Sequence, residues 1–369
     1  MSIHPDWGNV RRLLAVRLDS MGDVLMTTPA IRAIKESIPG VSITLLTSKS
    51  GAEVAQMVPE IDEAIVYAAP WMKASPSSSS SQIDHSMIDW LIRERFDAAV
   101  IFTVFSQNPW AAALLCYLAD IPLRLAYSRE NPYGLLNPWI KETEPSQGIR
   151  HEVQRQIDLV AEIGAMIKTP KMRIAIPIKH DFTSIVLQSK YGLDFQSPWA
   201  ILHCGATAPS RRYSPQGFAE IAQILYRQGG FQIVFTGSTS ELELVDFIQK
   251  EAKVPSINLA GKISLPELAA LIQKAPVLIS NNSGPVHLAA ALGTPVVDLY
   301  ALTNPQHTPW KVPNRVLYHD VPCKYCYQSV CPQIHHHCLS LVTPQMVVAA
   351  VNDLLAEVRS STMQEETTI

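Results

Sequence analysis

One aspartate is placed where a side chain could act on a substrate. Asp23 follows the apolar run 13–18 and the short loop Ser20-Met21-Gly22. The dipole of a helix keeps a carboxylate in its first turn ionised, and an ionised carboxylate aimed into a cleft can be a general base. Gly22 lets the backbone approach a ligand closely. The alternative, in which Asp23 only caps a helix from Val24 onward, stays open.

A second chemically suggestive segment opens another predicted helix. Residues 280–287 read Ser-Asn-Asn-Ser-Gly-Pro-Val-His and follow an apolar strand. Ser283 can cap the helix, Gly284 leaves backbone N–H groups accessible, and Pro285 suits the first helical position. Such a helix start can hold a diphosphate, with His287 as a further donor. An ordinary capped helix with a core histidine fits the same residues equally well.

Two adjacent arginines follow another predicted strand. Arg211 and Arg212 lie in the loop 206–213, which also contains Thr207. Guanidinium groups in such a loop can neutralise a phosphate leaving group. Solvated surface arginines are the alternative. Taken together, the three segments predict a cleft with a carboxylate on one domain and phosphate-binding groups on the other.

The elements around these segments alternate between strands and helices in both halves of the chain. Such alternation predicts two parallel sheets covered by helices, which is an α/β fold. We expect an N-terminal domain at residues 1–180, a C-terminal domain at 195–345, and a last helix and tail at 346–369, with the linker within 169–197. Strands are predicted at 13–18, 41–47, 64–67, 98–102, 199–204, 232–237, 256–259, 275–280 and 294–300; helices at 24–37, 110–119, 151–163, 218–228, 241–252, 265–273, 286–292 and 342–358.

Three further segments are expected to be irregular. The serine-rich stretch 74–82 predicts a surface loop, with an acceptor-side flap as the alternative. Residues 131–148 are rich in Pro, Gly and polar side chains and also predict a loop, and the tail from Arg359 is expected to fray.

Composition narrows the function classes. The 369 residues are 47% hydrophobic, enough for two α/β cores. The net charge of -3 argues against a nucleic-acid partner. The N-terminus has no charged start before an apolar core, and no window of about 18 apolar residues occurs. We therefore expect a cytoplasmic protein.

Four of the six cysteines crowd together near the C-terminus. Cys323, Cys326, Cys331 and Cys338 are separated by two, four and six residues, and three histidines, 335–337, lie among them. Reduced structural cysteines, a tetrahedral zinc site and an iron–sulfur cluster are all compatible with this spacing. We assign no metal and no cofactor from the sequence.

Two long motifs resemble glycosyltransferase family 9, the heptosyltransferases of lipopolysaccharide core synthesis. The first is Arg17-Leu-Asp-Ser-Met-Gly-Asp-Val-Leu-Met-Thr-Thr-Pro29, and the second runs from Ile279 through Leu299. The resemblance implies a GT-B fold, which is two Rossmann-like domains with the active site in the interdomain cleft. It also implies an inverting, metal-independent transfer from an ADP-heptose-like donor to a lipid-linked saccharide.

The resemblance assigns roles to individual residues. Asp23 would be the base for the acceptor hydroxyl, and Arg211 would contact the donor phosphates. The Ser283-Gly284 turn and His287 match the diphosphate-binding helix start. The remaining residues assigned to donor binding are Met21, Gly22, Thr207, Arg212, Gly237, Lys262, Ile263 and Asn282.

One residue departs from the family pattern. Asn282 stands where the family usually has an aspartate near the donor sugar. Asparagine carries no charge and both donates and accepts hydrogen bonds, so a different donor sugar is a fair hypothesis. A non-catalytic nucleotide-sugar sensor and a sugar-nucleotide epimerase on the same fold are the alternative functions.

A lipid-linked acceptor would also require contact with the membrane. Five basic side chains are candidates for binding anionic headgroups, and scattered solvated charge is the alternative for them. They are Arg11, Arg12, Arg32, Lys35 and Lys49.

Overall fold

The computed structural model describes residues 4–73, 80–177 and 184–367. The chain divides into two compact units, Met1–Ala175 and Ile176–Ile369. Within the described ranges, each unit contains a six-stranded sheet whose neighbouring strands all pair in parallel. The predicted α/β class with two parallel sheets is therefore confirmed. The domain boundaries and the cleft expected between the domains stay predictions.

Unit 1 forms its sheet in the order β3-β2-β1-β4-β5-β6. Its inner strands are almost wholly buried and largely apolar, since helices cover both faces of a parallel sheet. The elements are α1 (Pro5–Gly8), β1 (Arg12–Arg17), α2 (Met21–Ser37), β2 (Ser42–Thr47), α3 (Lys49–Ala55), β3 (Glu63–Val66), α4 (Gln82–Glu94), β4 (Ala98–Ile101), α5 (Trp110–Leu118), β5 (Leu123–Ser128), β6 (Trp139–Lys141) and α6 (Glu152–Ala161).

Unit 2 repeats the architecture in the order β12-β11-β10-β7-β8-β9. The last helix packs on it, with Val347, Val351 and Leu354 in the same apolar core as the sheet. The elements are α7 (Ser184–Tyr191), β7 (Trp199–His203), α8 (Pro215–Gly229), β8 (Gln232–Thr236), α9 (Leu242–Ala252), β9 (Ser256–Asn258), α10 (Leu265–Lys274), β10 (Leu278–Asn281), α11 (Gly284–Leu292), β11 (Val296–Leu299), β12 (Asn314–Leu317), α12 (His337–Ser340) and α13 (Pro344–Thr367).

The order in which successive strands are added to each parallel sheet reverses at one point. In unit 1 the reversal lies between β1 and β4, and in unit 2 between β7 and β10. Ligands in open α/β sheets bind beyond the carboxyl ends of the strands at such a point. The loop before Asp23 follows β1, the loop with Arg211 follows β7, and Ser283 follows β10, so the predicted site residues lie where the fold favours binding.

Several sequence expectations are corrected. The segment 131–148 is not wholly loop, because Trp139–Lys141 forms β6 on the edge of the sheet. The last helix does not end near 358 but continues to Thr367, with Ser360 and Ser361 donating to carbonyls one turn back. Of the serine-rich stretch predicted as a loop, 74–79 lies outside the described residues.

Strand β5 had no predicted counterpart because Arg124 interrupts its apolar run. The structure buries this arginine, which donates to the carbonyl oxygens of Gly134 and Leu135 at 2.7 and 2.8 Å. A buried charge satisfied by backbone carbonyls carries no local signal in the sequence.

No helix among the described residues combines the length and the apolar composition needed to cross a bilayer.

Candidate active site

Asp23 has both a capping role and a charged partner. Ser20 is the N-cap residue of α2, and its N–H and Oγ donate to Asp23 Oδ2 at 3.2 and 2.7 Å. Arg17 Nη2 donates to Asp23 Oδ1 at 3.2 Å. The side chain of Asp23 is nevertheless 17% exposed. The capping interpretation is therefore correct, and it leaves the carboxylate accessible to an incoming group.

Arg17 is a fully buried guanidinium shared by three carboxylates. Besides Asp23 it pairs with Asp19 at 3.1 Å and with the buried Glu152, the first residue of α6, at 2.8 Å. Glu152 also accepts from Gln156 Nε2 at 2.7 Å. Because one positive charge is divided among three carboxylates, Asp23 is not fully neutralised by it.

The pKa of Asp19 is raised in this buried group of carboxylates. Burial raises its pKa to about 6, with repulsion from Asp23 adding to the rise and Arg17 opposing it. Gln107, from the loop after β4, donates to Asp19 Oδ1 at 2.6 Å. Neither Arg17 nor Asp19 is assigned a role from the sequence, although two charged residues at the end of an apolar strand are a usable signal.

In unit 2, Asn281 joins the two loops at the sheet reversal. Its Nδ2 donates to the carbonyl of Cys204 at 2.8 Å, and its Oδ1 accepts from the N–H of Tyr213 at 2.9 Å. The side chain is fully buried. The loop between Cys204 and Tyr213, which carries both arginines, is thus fixed to the end of β10.

The two adjacent arginines have different roles. Arg212 donates to the carbonyls of Ala206 and Thr207 at 2.7 and 3.3 Å, so it shapes its own loop. The half-buried guanidinium of Arg211 forms no hydrogen bond or ion pair with any described residue. It lies within electrostatic range of the buried Asp298 on β11. Of the two guanidinium groups, that of Arg211 is therefore the one that the described part of the chain does not bond.

The start of α11 departs from the expected cap. Ser283 occupies the N-cap position, but its side chain makes no capping hydrogen bond, which corrects the sequence expectation. Its Oγ is buried and has no partner among the described residues. The first N–H groups of a helix also lack partners within the helix. Groups of this kind are suited to binding an anion. The buried ring of His287 stands edge-on to His307, with the ring centroids 6.4 Å apart.

The structure gives a physical reason for asparagine at 282. Its Nδ2 donates both to Asp298 Oδ2 at 2.9 Å and to the carbonyl of His307 at 2.8 Å. An aspartate here would place a second buried carboxyl group against Asp298 and lose both donated bonds. Asparagine at position 282, which departs from the family pattern, therefore fits its neighbours Asp298 and His307 in this chain.

Asp298 holds a proton near neutral pH. Full burial raises its pKa to about 8, and the bond from Asn282 and the charge of Arg211 oppose the rise only in part. Its Oδ1 has no partner in the described structure. Asp298 is not among the site residues predicted from the sequence, although an acid within the apolar strand 296–299 is a visible signal.

The other predicted donor residues follow the same strand edge outward. Gly237 follows β8, and its carbonyl accepts from Gly261 N–H at 2.9 Å, which joins the loops after β8 and β9. The exposed Lys262 donates to the carbonyl of Asn258 at 2.9 Å, and Ile263 is half-buried beside it. Among the other donor-site predictions, Thr207 is exposed, Met21 half-buried and Gly22 buried in the first turn of α2.

The proposed basic surface for lipid headgroups is wrong at Arg32. This side chain is buried and donates to the carbonyls of Thr169 and Lys171 at 2.6 and 2.5 Å. Lys35 pairs with Asp62, and Arg12 pairs with Glu94. Arg11 and Lys49 are exposed.

Comparison with known proteins identifies the family of the chain. The family model described as glycosyltransferase family 9 (heptosyltransferase) matches residues 85–337. The chain belongs to that family. It is accordingly a glycosyltransferase of the heptosyltransferase type, as the two sequence motifs had indicated.

One relative and two solved structures are similar to this chain over nearly their whole length. Lipopolysaccharide heptosyltransferase 2 of Salmonella typhimurium is 26% identical over 365 residues, covering 94% of this chain and 99% of the relative. Among solved structures, a family 9 glycosyltransferase of Veillonella parvula is 22% identical with a TM-score of 0.76, covering 97% and 99% of the two chains. The ADP-heptose lipopolysaccharide heptosyltransferase II of E. coli is 24% identical with a TM-score of 0.72, covering 94% and 99%. The predicted two-domain GT-B fold agrees with these structures.

Replacing Arg17 tests the buried charge network. Arg17→Gln leaves Glu152 buried without its cation, and we expect the free energy of unfolding of unit 1 to fall by about 3–5 kcal/mol. Arg12→Gln, which removes an exposed pair, is the matched control and should cost under about 1 kcal/mol. Urea unfolding followed by circular dichroism measures both. Equal losses in the two variants would contradict the network.

The proton on Asp298 predicts a pH-dependent stability. Because its pKa is raised in the fold, the folded chain keeps a proton that the unfolded chain releases. The contribution of Asp298 to the free energy of unfolding is therefore most favourable below about pH 4, where the carboxyl group is protonated in both states. Between about pH 4 and pH 8 the free energy of unfolding falls as the pH rises, by up to about 1.4 kcal/mol per pH unit. Asp298→Asn should remove that slope, measured by urea unfolding between about pH 5 and pH 8. The control Asp246→Asn, at an exposed position, should retain it; an unchanged slope in Asp298→Asn would refute the assignment.

Proposed function

We propose that this enzyme transfers a heptose from an ADP-linked donor to a hydroxyl of a lipopolysaccharide-core saccharide. One observation carries most of the argument: the partnerless guanidinium of Arg211 lies in the loop joined by Asn281 to the strand that precedes the α11 start. The activities of two similar proteins, lipopolysaccharide heptosyltransferase 2 and ADP-heptose lipopolysaccharide heptosyltransferase II, support the substrate classes.

The donor would bind along the carboxyl edge of the unit 2 sheet. Its diphosphate would accept bonds from Arg211, from Ser283 Oγ and from the first N–H groups of α11. The nucleoside would extend past Gly237 toward Lys262 and Ile263. From β10 to β9 this edge crosses three strand spacings, about 14 Å, which accommodates an extended ligand.

Transfer would be a single displacement with inversion. Asp23 accepts the proton of the acceptor hydroxyl while the acceptor oxygen attacks the anomeric carbon on the face opposite the diphosphate. The bond from that carbon to the phosphate oxygen breaks, and the electron pair leaves with ADP. Arg211 and the α11 start stabilise the charge on the departing diphosphate. The proposal requires no metal in this step, because those donors meet the charge.

A lipid-linked acceptor would require the enzyme to act at a membrane surface. Nucleotide-sugar donors are cytoplasmic, so the enzyme would act at the inner face of the membrane and contact it only peripherally. Arg32, which the fold buries, takes no part in that contact.

Donor binding can be tested by calorimetry with ADP, UDP and GDP and their sugar conjugates. We expect selective binding of the ADP species, because the residues near Lys262 resemble the family's adenine segment. Arg211→Ala should weaken it by about 10- to 100-fold, the size of a lost charge-assisted contact. Arg227→Ala, which removes an exposed arginine from α8, is the control and should leave affinity unchanged. Preference for UDP or GDP would remove the ADP assignment, and absence of all binding would remove the transferase proposal.

Catalysis can be tested by following acceptor-dependent release of ADP from ADP-heptose. Asp23→Asn should lower kcat by about 10²–10⁴-fold while donor affinity is retained. The exposed Asp89→Asn is the control. Inversion is read from the anomeric configuration of the product by NMR. A full rate in Asp23→Asn would exclude it as the base.

A further inference from the structure

The segment between β12 and α12 has unusual backbone geometry. Residues 318–336 contain no helix or strand. Four non-glycine residues in this segment have left-handed φ angles: Tyr325 at 60°, Tyr327 at 55°, Ile334 at 63° and His336 at 52°. Each such residue costs about 1–2 kcal/mol. Something other than regular secondary structure must hold this segment in place.

Apolar packing beneath the segment is limited. A small cluster contains the buried side chains of Tyr300, Leu302 and Val321, and Cys323 and Cys338 pack against it. Short irregular segments with little core commonly depend on a cross-link or a metal ion. The cysteines are free thiols here.

All four clustered cysteines line one cavity. Cys323, Cys326, Cys331 and Cys338 surround a space of about 20 Å³, together with His335 and His336. Cys323 Sγ lies 3.9 Å from His335 Nε2. Cys116 and Cys204 lie elsewhere in the apolar cores of the two units. The cavity is the size that one water molecule or one metal ion requires.

A divalent cation among these sulfurs would stabilise every thiolate at once, because a thiol that coordinates a metal ion loses its proton. In the described residues no group of three histidine, cysteine or acidic side chains is already arranged to hold an ion. Binding would therefore need side-chain rotation to draw the sulfurs inward.

The segment also holds the turn that carries Arg211. The N–H of the buried Ser210 donates to the carbonyl of Ser329 at 3.0 Å, and its Oγ donates to the carbonyl of Gln328 at 2.8 Å. Both acceptors lie between Cys326 and Cys331. A bond that fixes those cysteines would therefore also fix Ser210, the residue directly before Arg211, through these two hydrogen bonds.

We propose that Cys323, Cys326, Cys331 and Cys338 bind one thiophilic divalent ion as four thiolates, and that this ion braces the Arg211 turn. Zinc and ferrous iron share this ligand chemistry. Each ion bound displaces four protons, one from each thiol, with no change in oxidation state. The ion is structural and has no part in the transfer step. Only the bracing role rests on the proposed function; the metal site does not.

The test begins with the full-length chain purified under reducing, oxygen-free conditions. Mass spectrometry of its metals should give about one zinc or iron ion per chain, and the element found distinguishes the two. After chelation, added Co²⁺ should produce the thiolate charge-transfer and tetrahedral d–d absorption bands. A metal content below about a tenth of an ion per chain with no cobalt spectrum, or thiols found paired as disulfides in this preparation, would overturn the site.

Variants separate ligand loss from misfolding. Cys326→Ser should lower cobalt affinity by about tenfold or more, whereas the control Cys116→Ala, a buried thiol in unit 1, should retain it. Should Cys326→Ser fail to fold, the wild-type chain with and without chelator supplies the same comparison through its metal content and cobalt spectrum.

The effect of the metal ion on the Arg211 turn is measured as the affinity of the chain for ADP. We expect the Kd for ADP to rise several-fold on metal removal in the wild type and in Cys326→Ser, but not in Cys116→Ala. An unchanged Kd in the metal-free chain would overturn the bracing role while leaving the metal site in place. Failure of the metal-loaded chain to bind ADP would instead count against the proposed function.

Discussion

The buried guanidinium of Arg17 fixes the chemistry of unit 1. Its three carboxylate partners come from the loop after β1, the first turn of α2 and the first residue of α6. A buried charge of this kind is strongly destabilising unless it is paired, so these elements must meet at one point. The carboxylate of Asp23 is held there by Arg17 and Ser20 while part of it remains exposed. Rigidity and accessibility of the candidate base thus have the same origin.

In unit 2, the loops of the candidate site are held by neutral side-chain amides rather than by a buried charge. Asn281 ties the arginine loop to the end of β10, and Asn282, the next residue, faces Asp298 and the carbonyl of His307. The amide of Asn282 satisfies groups that an aspartate would repel. The acid that the family motif usually carries at 282 is absent, yet an acidic group is still present in the neighbourhood, on β11.

The turn before Arg211 is held on two sides. Asn281 holds its far end through Tyr213, and Ser210 bonds to the cysteine segment. A guanidinium with no protein partner is useful to a ligand only if its backbone is fixed, since an ordered contact costs less entropy when the loop is already in place. The cysteine segment therefore helps to fix the backbone directly before Arg211, although it lies outside both family motifs.

The sequence alone determined the α/β class, the two parallel sheets, the family and the segments around Asp23, Arg211 and Ser283. Those features are local: apolar runs, helix starts and glycines follow from neighbouring residues. The tertiary structure decided what each residue contacts. It buried Arg124 and Arg32 against backbone carbonyls and bonded Arg212, but not Arg211, to its own loop. It also left Ser283 Oγ unbonded and paired Asn282 with Asp298. These outcomes depend on groups far apart in the chain that burial brings into contact, and a desolvated polar group must find its partner wherever the fold supplies one.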